Sequence, residues 1–495
     1  MINHTCDVLI IGSGAGGTMA ARELANSNLG LDILVVEEGP HRPATQAPTS
    51  LHESLSSMWR QGGLTMAFGK TPISYAEGQC VGGGTEINSA IMQQTPADLR
   101  EAWVEKYQID DFSPTQWEQG YADIFKLLNA STTVGELGQA SNLMAAMGKK
   151  MDWQTTALQR AQKHCVGTNH CSLGCPTGGK HSMSTALWPT LQRQGVRLMA
   201  GVRMQRIHHR HGQALYATGV EHTVQGTRPC TIHFKTLILA AGATQTPALL
   251  QRSRLIPWSS TGFLLHPTIR VTATFKDPIH APTSRLPLYA ITEFMPHVRL
   301  GGSVATLPTL GMFAMEDPKH RAHHAPAWRH SIMYYAMAKG EGFGRITALP
   351  FGAPPVVQYQ LAEADWQNLQ LGLSKLAEGL FAVGAQTVQP SIGGMPAWTS
   401  LADMRQRLPH GLTSNAVRKA CQLMSIHLFS SIRMGAPETG ALANSYGKLH
   451  GMTNLYVADA SLIPESPGVN PQATVMLLAQ RSARYALAQM EKTHA

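Results

Sequence analysis

No apolar stretch in this chain approaches the roughly 20 residues that a helix needs to cross a bilayer. The longest, Thr236 to Ala243 and Thr474 to Ala479, fall well short, so no membrane span is expected and only peripheral association is left open. The first residues carry no basic segment, no separate apolar core and no small-residue cleavage site. That argues against secretion by a signal of the chain's own and predicts a cytoplasmic location. Charge is sparse, with 14% of residues Asp, Glu, Lys or Arg and no run of five basic residues. The formal charge of +9 and pI near 9.2 are therefore scattered, and no nucleic-acid partner is expected, because phosphate binding needs a clustered basic surface. Cysteine is scarce too: seven in 495 residues, an odd number, which fits reduced thiols rather than a disulfide framework. Internal repeats and low-complexity segments are missing.

What is present suits a compact enzyme with many tight turns: 43% hydrophobic residues, 46 glycines and 29 prolines. The length predicts two to four lobes. Cys6 to Ile11 reads as a buried parallel strand and runs straight into Gly12-Ser13-Gly14-Ala15-Gly16-Gly17, followed by a helical stretch from Thr18 to Asn26. Strand, glycine turn and helix in that order make a dinucleotide site: Gly12 for the turn, Gly14 for close approach to the pyrophosphate, Gly17 for helix packing, and the helix N-terminus for the phosphates. A second strand, Asp32 to Val36, ends in Glu37, the acid expected on the ribose hydroxyls. It disfavours a 2'-phosphate and so NADP, but it does not separate FAD from NAD.

Further segments carry a resemblance that bears on that separation. Gly78-Gln79-Cys80-Val81-Gly82-Gly83-Gly84-Thr85-Glu86-Ile87-Asn88 is a glycine loop whose backbone can lie flat against a planar ring. Gly242-Ala243-Thr244-Gln245-Thr246-Pro247-Ala248-Leu249-Leu250 follows the strand Thr236 to Ala241, and Asn454 to Ser461 precedes Gly468-Val469-Asn470-Pro471-Gln472-Ala473-Thr474. His427 heads a segment ending Arg433-Met434-Gly435 and stands 43 positions before Asn470. Together these resemble the signatures of the glucose-methanol-choline (GMC) oxidoreductase family. Gln79 and Arg254 depart from its usual residues.

The resemblance implies an α/β (α+β overall) fold, with a Rossmann-type FAD-binding domain and a substrate domain whose antiparallel sheet roofs the flavin. The ranges 1–94, 161–265 and 420–495 would build the first, and 95–160 and 266–419 the second. Gly12, Gly14, Ala15, Gly17 and Glu37 would hold the ADP half of FAD, Val202 in the strand-like run Leu198 to Ile207 would meet the adenine, and Asp459 with Ala460 would lie near the pyrophosphate. Gly82, Gly83, Thr85, Asn88, Gly242, Pro471 and Thr474 would line the flavin. Members with covalently linked flavin carry a His in the first-signature loop, and Gly78 to Thr95 has none, so noncovalent FAD is expected.

Oxidising an alcohol removes a proton from oxygen and a hydride from carbon, so a base must reach the hydroxyl. His427 is the candidate base. Asn470 cannot ionise near neutrality, and its expected task is to orient the hydroxyl. Any one of 22 histidines is more often structural than catalytic, but the spacing to Asn470 singles out His427; His266, in a His-Pro pair, is read as structural. Cys165, Cys171 and Cys175 lack standard metal-site spacing, so a structural loop, with a disulfide as alternative, is expected and no metal. That loop resembles those of the long-chain alcohol oxidase, cholesterol oxidase-like and polyol dehydrogenase branches.

Candidate substrate-lobe strands are Pro267 to Phe275, Leu288 to Phe294, Ser331 to Ala338 and Arg345 to Leu349, with Glu316 to His330 as a loop or lid. The methionines of Ser331 to Met337 are core filling or an adaptable pocket wall. The substrate expected is a small-molecule alcohol, apolar and long-chain or sterol-like, with O2 or a quinone or cytochrome as electron acceptor. A polyol or sugar-acid dehydrogenase is the alternative, and an FAD lyase or noncatalytic flavoprotein a remote one.

Overall fold

The computed structural model describes residues 2–132, 138–258, 261–279, 288–302 and 327–494. A strand buried on both faces reads as an unbroken apolar run, and Val8, Leu9 and Ile10 are fully buried. Strand Ile2–Ile11 lies between Ile33–Glu37 and Gly226–Leu239, parallel to both. Among the described residues seven strands form this sheet, with Leu455–Val457 joining it parallel to Gly226–Leu239. Helices Ala15–Ala25 and Gln472–His494 pack on one another over it.

The run from Leu198 to Ile207 is not one strand. It breaks at Gly201, which has φ +76° and donates its N–H to the Gly39 carbonyl at 3.1 Å. Arg197–Ala200 closes one edge of the sheet beside Ile33–Glu37, while Val202–Arg210 opens an antiparallel meander with Gln213–Thr223 at the other. Only a residue tolerant of positive φ permits so abrupt a turn, and it delivers Val202 to the tip of the second strand.

A second sheet, of 13 strands among the described residues, is mostly antiparallel. The candidate strands appear in it as Thr268–Thr274, Tyr289–Ile291, Ser331–Ala338 and Phe343–Thr347. Two of its pairs are parallel: Thr65–Phe68 with Val356–Gln360, and Ile73–Tyr75 with Leu423–Ser425. Segments from both ends of the chain thus lend strands to the larger sheet. Helix Glu363–Ala382 covers one face through Trp366, Leu369, Leu373, Leu376 and Leu380, an apolar stripe at helical spacing. Each such burial is worth about 1.5–3 kcal/mol relative to exposure. A Cβ built on Gly372 would lie 2.5 Å from that of Ala336, so the helix seats directly on the central strands and fixes Val298–Gly302 beside them. Most of Glu316 to His330 lies outside the described residues. No helix among the described residues is long and apolar enough to cross a membrane.

Candidate active site

Gly12 ends the first strand with φ +104°, and a Cβ there would lie 2.2 Å from the Ala240 carbonyl oxygen. The first-signature loop then packs on this turn, since a Cβ on Gly83 would come within 2.9 Å of the Gly14 Cα. Ser13 joins the two loops. Its N–H and hydroxyl donate to Glu37 Oε2 at 3.1 and 2.8 Å, and its oxygen accepts from the Gly82 N–H at 3.1 Å. Gly39 N–H donates to Glu37 Oε1 at 3.1 Å. Burial, with Glu38 nearby, nonetheless raises the Glu37 carboxyl to about 6.

Between these loops and the larger sheet runs a cavity of about 450 Å³. Of the expected site residues, Gly12, Gly14, Ala15, Glu37, Gly83, Thr85, Asn88, Val202, Gly242, Asp459, Ala460, Pro471, His427 and Asn470 line it. Three do not. Gly17 packs behind against the Gly12 carbonyl, Gly82 turns its N–H to Ser13, and Thr474 is fully buried with its hydroxyl 2.8 Å from those of Thr95 and Tyr121. Asn88 lines the wall, yet its side chain is committed to Gln472 and the Ala90 N–H. Asp459 accepts from the Gly242 N–H at 2.9 Å and the Thr246 hydroxyl at 2.5 Å, and burial raises its pKa.

Lys180 anchors the glycine loop from outside the wall. Its buried ammonium donates to the carbonyls of Thr85, Glu86, Asn88 and Cys171 at 2.9, 2.5, 3.2 and 2.6 Å. The Cys171 sulfur meets Arg160 Nη2 at 3.1 Å, and Ser172 lines the cavity. No disulfide joins any two of the seven cysteines in this structure. Among the described residues no His, Cys, Asp or Glu cluster could hold a metal. A cleft with glycine backbone along one side, a buried acid at the tip of the second strand and a polar pair at the far end fits FAD.

That polar pair is positioned by sheet register. Leu265 pairs antiparallel with Leu428, which sets the next residues, His266 and His427, opposite each other with Nδ1 atoms 2.9 Å apart. His266 thus touches His427 from behind without lining the cavity. Asn470, just before helix Gln472–His494, brings Nδ2 within 2.9 Å of His427 Nε2. Burial and then the Arg299 guanidinium lower the His427 pKa to about 3, and burial lowers that of His266 well below its ordinary value. Both rings are neutral at ordinary pH. Arg299 and Gln93, which carry no motif, complete the cluster: Arg299 Nη2 donates to Asn470 Oδ1 at 2.6 Å, and Nη1 donates to Gln93 Oε1. Tyr335, Met424, Ile426 and Leu428 also line the cavity, whereas Met333 and Met337 are buried in the core away from its wall.

The family model described as GMC oxidoreductase matches residues 55–268 in its N-terminal part and 342–479 in its C-terminal part. An uncharacterized GMC-type oxidoreductase of Sinorhizobium fredii is 41% identical over 493 residues, covering 99% of this chain and 96% of that protein. The long-chain-alcohol oxidase FAO4A of Arabidopsis thaliana is 25% identical, across 96% of this chain and 67% of its own length. Among solved structures, pyridoxine 4-oxidase from Mesorbium loti superposes with a TM-score of 0.72 at 16% identity, covering 98% and 99% of the two chains. A fungal aryl-alcohol oxidase gives 0.66 at 15% identity, with the same coverage.

Proposed function

The chain belongs to the GMC oxidoreductases, FAD-dependent enzymes acting on CH–OH donors, and from that premise we propose that His427 is the base and Asn470 the orienting group in oxidation of an apolar alcohol. The observation that carries the reading is the 2.9 Å approach of His427 Nε2 to the Asn470 amide at the cavity wall. A neutral imidazole with a lone pair at Nε2 can take the hydroxyl proton, and the amide can hold the hydroxyl oxygen in line with it. The resulting imidazolium keeps its Nδ1–H on His266, which shields the charge from an apolar surrounding. Bound FAD supplies the acceptor for the hydride that leaves carbon.

Gly12, Gly14, Glu37 and Val202 would hold the nucleotide half, and Gly83, Thr85, Asp459 and Pro471 the flavin half. In this reading 1–94, 161–265 and 420–495 carry the cofactor and 95–160 and 266–419 shape the substrate side, with Thr65–Tyr75 and Leu423–Phe429 crossing between them. Tyr335, Met424, Ile426 and Leu428 on the wall support an apolar, long-chain or sterol-like substrate, because carbon surface is what such walls remove from water. The names of relatives such as the long-chain-alcohol oxidase support O2 as acceptor.

Anaerobic mixing with long-chain, sterol, polyol and sugar-acid panels, followed at the flavin band near ~450 nm, tests this. Bleaching by the apolar alcohols is expected, with recovery in air. Bleaching by polyols or sugar acids alone would reject the substrate class, and no bleaching by any would reject the reaction.

A further inference from the structure

Arg299 reaches the site from behind the cavity wall. It lies on strand Val298–Gly302 and is 1% exposed. Its Nη2 donates to Asn470 Oδ1 at 2.6 Å. Its Nη1 donates to Gln93 Oε1, which also accepts the Asn470 backbone N–H at 3.4 Å. Both faces of the Asn470 side chain are therefore engaged, one by Arg299 and the other by His427.

A guanidinium has five N–H donors and no acceptor, and it does not lose its proton. The amide must therefore turn its oxygen to Arg299 and its NH2 to His427. An NH2 aimed at Nε2 requires a bare lone pair there, so the His427 proton resides on Nδ1, where the His266 Nδ1 accepts it at 2.9 Å. With the amide reversed, its NH2 would face guanidinium donors and its oxygen would demand a proton on Nε2, leaving that nitrogen unable to act as a base. We propose that Arg299 is a positioning residue: through the Asn470 amide it selects the His427 tautomer whose Nε2 lone pair can take the substrate proton.

The rate consequence rests on His427 being the base; the tautomer consequence does not. Among the described residues, Arg299 is the charged group that acts on His427 and His266 the titratable one in contact with it. Burial is the larger reason the imidazole stays neutral and the Arg299 cation adds to it, so removing the cation moves the acid limb of the rate profile to higher pH. Lysine keeps the charge and the donor character and should hold that limb in place.

The test uses the FAD-loaded enzyme, with ¹⁵N-histidine spectra assigned by loss of one ring in His427→Gln. In Arg299→Met the expected results are appearance of the Nε2–H tautomer at His427, a kcat lower on the order of 10²-fold with a smaller change in KM, and an acid limb at higher pH. Arg299→Lys is expected to keep the native tautomer and pH profile. If Arg299→Met does not retain FAD, Arg299→Leu takes its place, since it too leaves Asn470 Oδ1 without its donor. An unchanged His427 tautomer and unchanged pH profile in either neutral variant would overturn the proposal. Near-normal turnover of His427→Gln would instead remove the base assignment while the tautomer result still judged Arg299.

Discussion

The Nδ1 atoms of His266 and His427 stand 2.9 Å apart, so one ring holds the proton between them and the other the lone pair. Asn470 fills the other nitrogen of His427 with an N–H donor. His427 is thus placed between a donor and an acceptor, much as a carboxylate orients a catalytic imidazole elsewhere, but with a neutral partner whose burial keeps it uncharged. Such an arrangement fixes the ring without adding a buried charge, at the cost of weaker support for the imidazolium.

His427→Gln should keep the flavin and lose the chemistry. The cofactor-side contacts of Glu37, Asp459 and the glycine loops do not involve this ring, so bound FAD is expected at the unmodified level. Anaerobic flavin reduction by substrate should slow by about 10²–10⁴-fold, the usual contribution of a positioned base. Retention of FAD with near-normal reduction would dismiss His427 as the base.

Acid should destabilise the protein before it silences the base. The His427 pKa falls from 6.5 unfolded to about 3 folded, so below 6.5 the unfolded chain gains a proton that the folded chain refuses, and stability drops as pH falls toward 3. His266 acts in the same direction. Glu37, raised from 4.5 to about 6, opposes them, since its folded form holds a proton between those values. The raised carboxyls of Asp459, Glu77 and Asp365 oppose them too, while His181 and His208 act with the two site histidines, so the decline in melting temperature is expected at its onset just below pH 6.5, before the raised carboxyls take up protons. In kcat/KM profiles the acid limb should lie below pH 6.5; a limb centred at or above it would contradict the neutral histidine.

The flavin should leave with denaturation. No His lies between Gly78 and Thr95. The loop's Cys80 is fully buried, with its thiol pKa pushed well up by that burial, and it does not line the cavity. Acid-precipitated protein should form a white pellet under a yellow supernatant, and a pellet that stays yellow after washing would show a covalent link.

Lys180→Met should loosen the first-signature loop. Four carbonyls lose their common donor, and a single buried acceptor left unpaired costs about 1–3 kcal/mol, so a stability loss of about 3 kcal/mol or more is expected in chemical denaturation. Flavin content after dialysis should fall with it. Wild-type stability and flavin retention together would show that the ammonium is not the anchor.

The nucleotide end was legible because its parts are contiguous: strand, glycine turn and helix follow one another, and Glu37 ends the next strand. His427 and Asn470 could be singled out by motif and spacing. Arg299 and Gln93 could not, since an Arg in a strand and a Gln after a two-residue strand carry no local signal. Thr474 followed the same motif as Asn470 yet points the other way, because helical phase turns it toward Tyr121 and Thr95.

Local sequence, read alone, determined the dinucleotide turn and the glycine loop beside it, since each depends on residues a few positions apart and on which backbone angles they tolerate. Tertiary structure alone decided that Gly201 would split one apparent strand between two sheet edges, that remote strands would pair in parallel inside the larger sheet, and that Leu265 would meet Leu428. These choices rest on which faces can be buried together, a property of the whole fold. From that register came the contact of His266 with His427, and from the pairing of Val298–Gly302 with Ser331–Ala338 the seat of Arg299 behind Asn470.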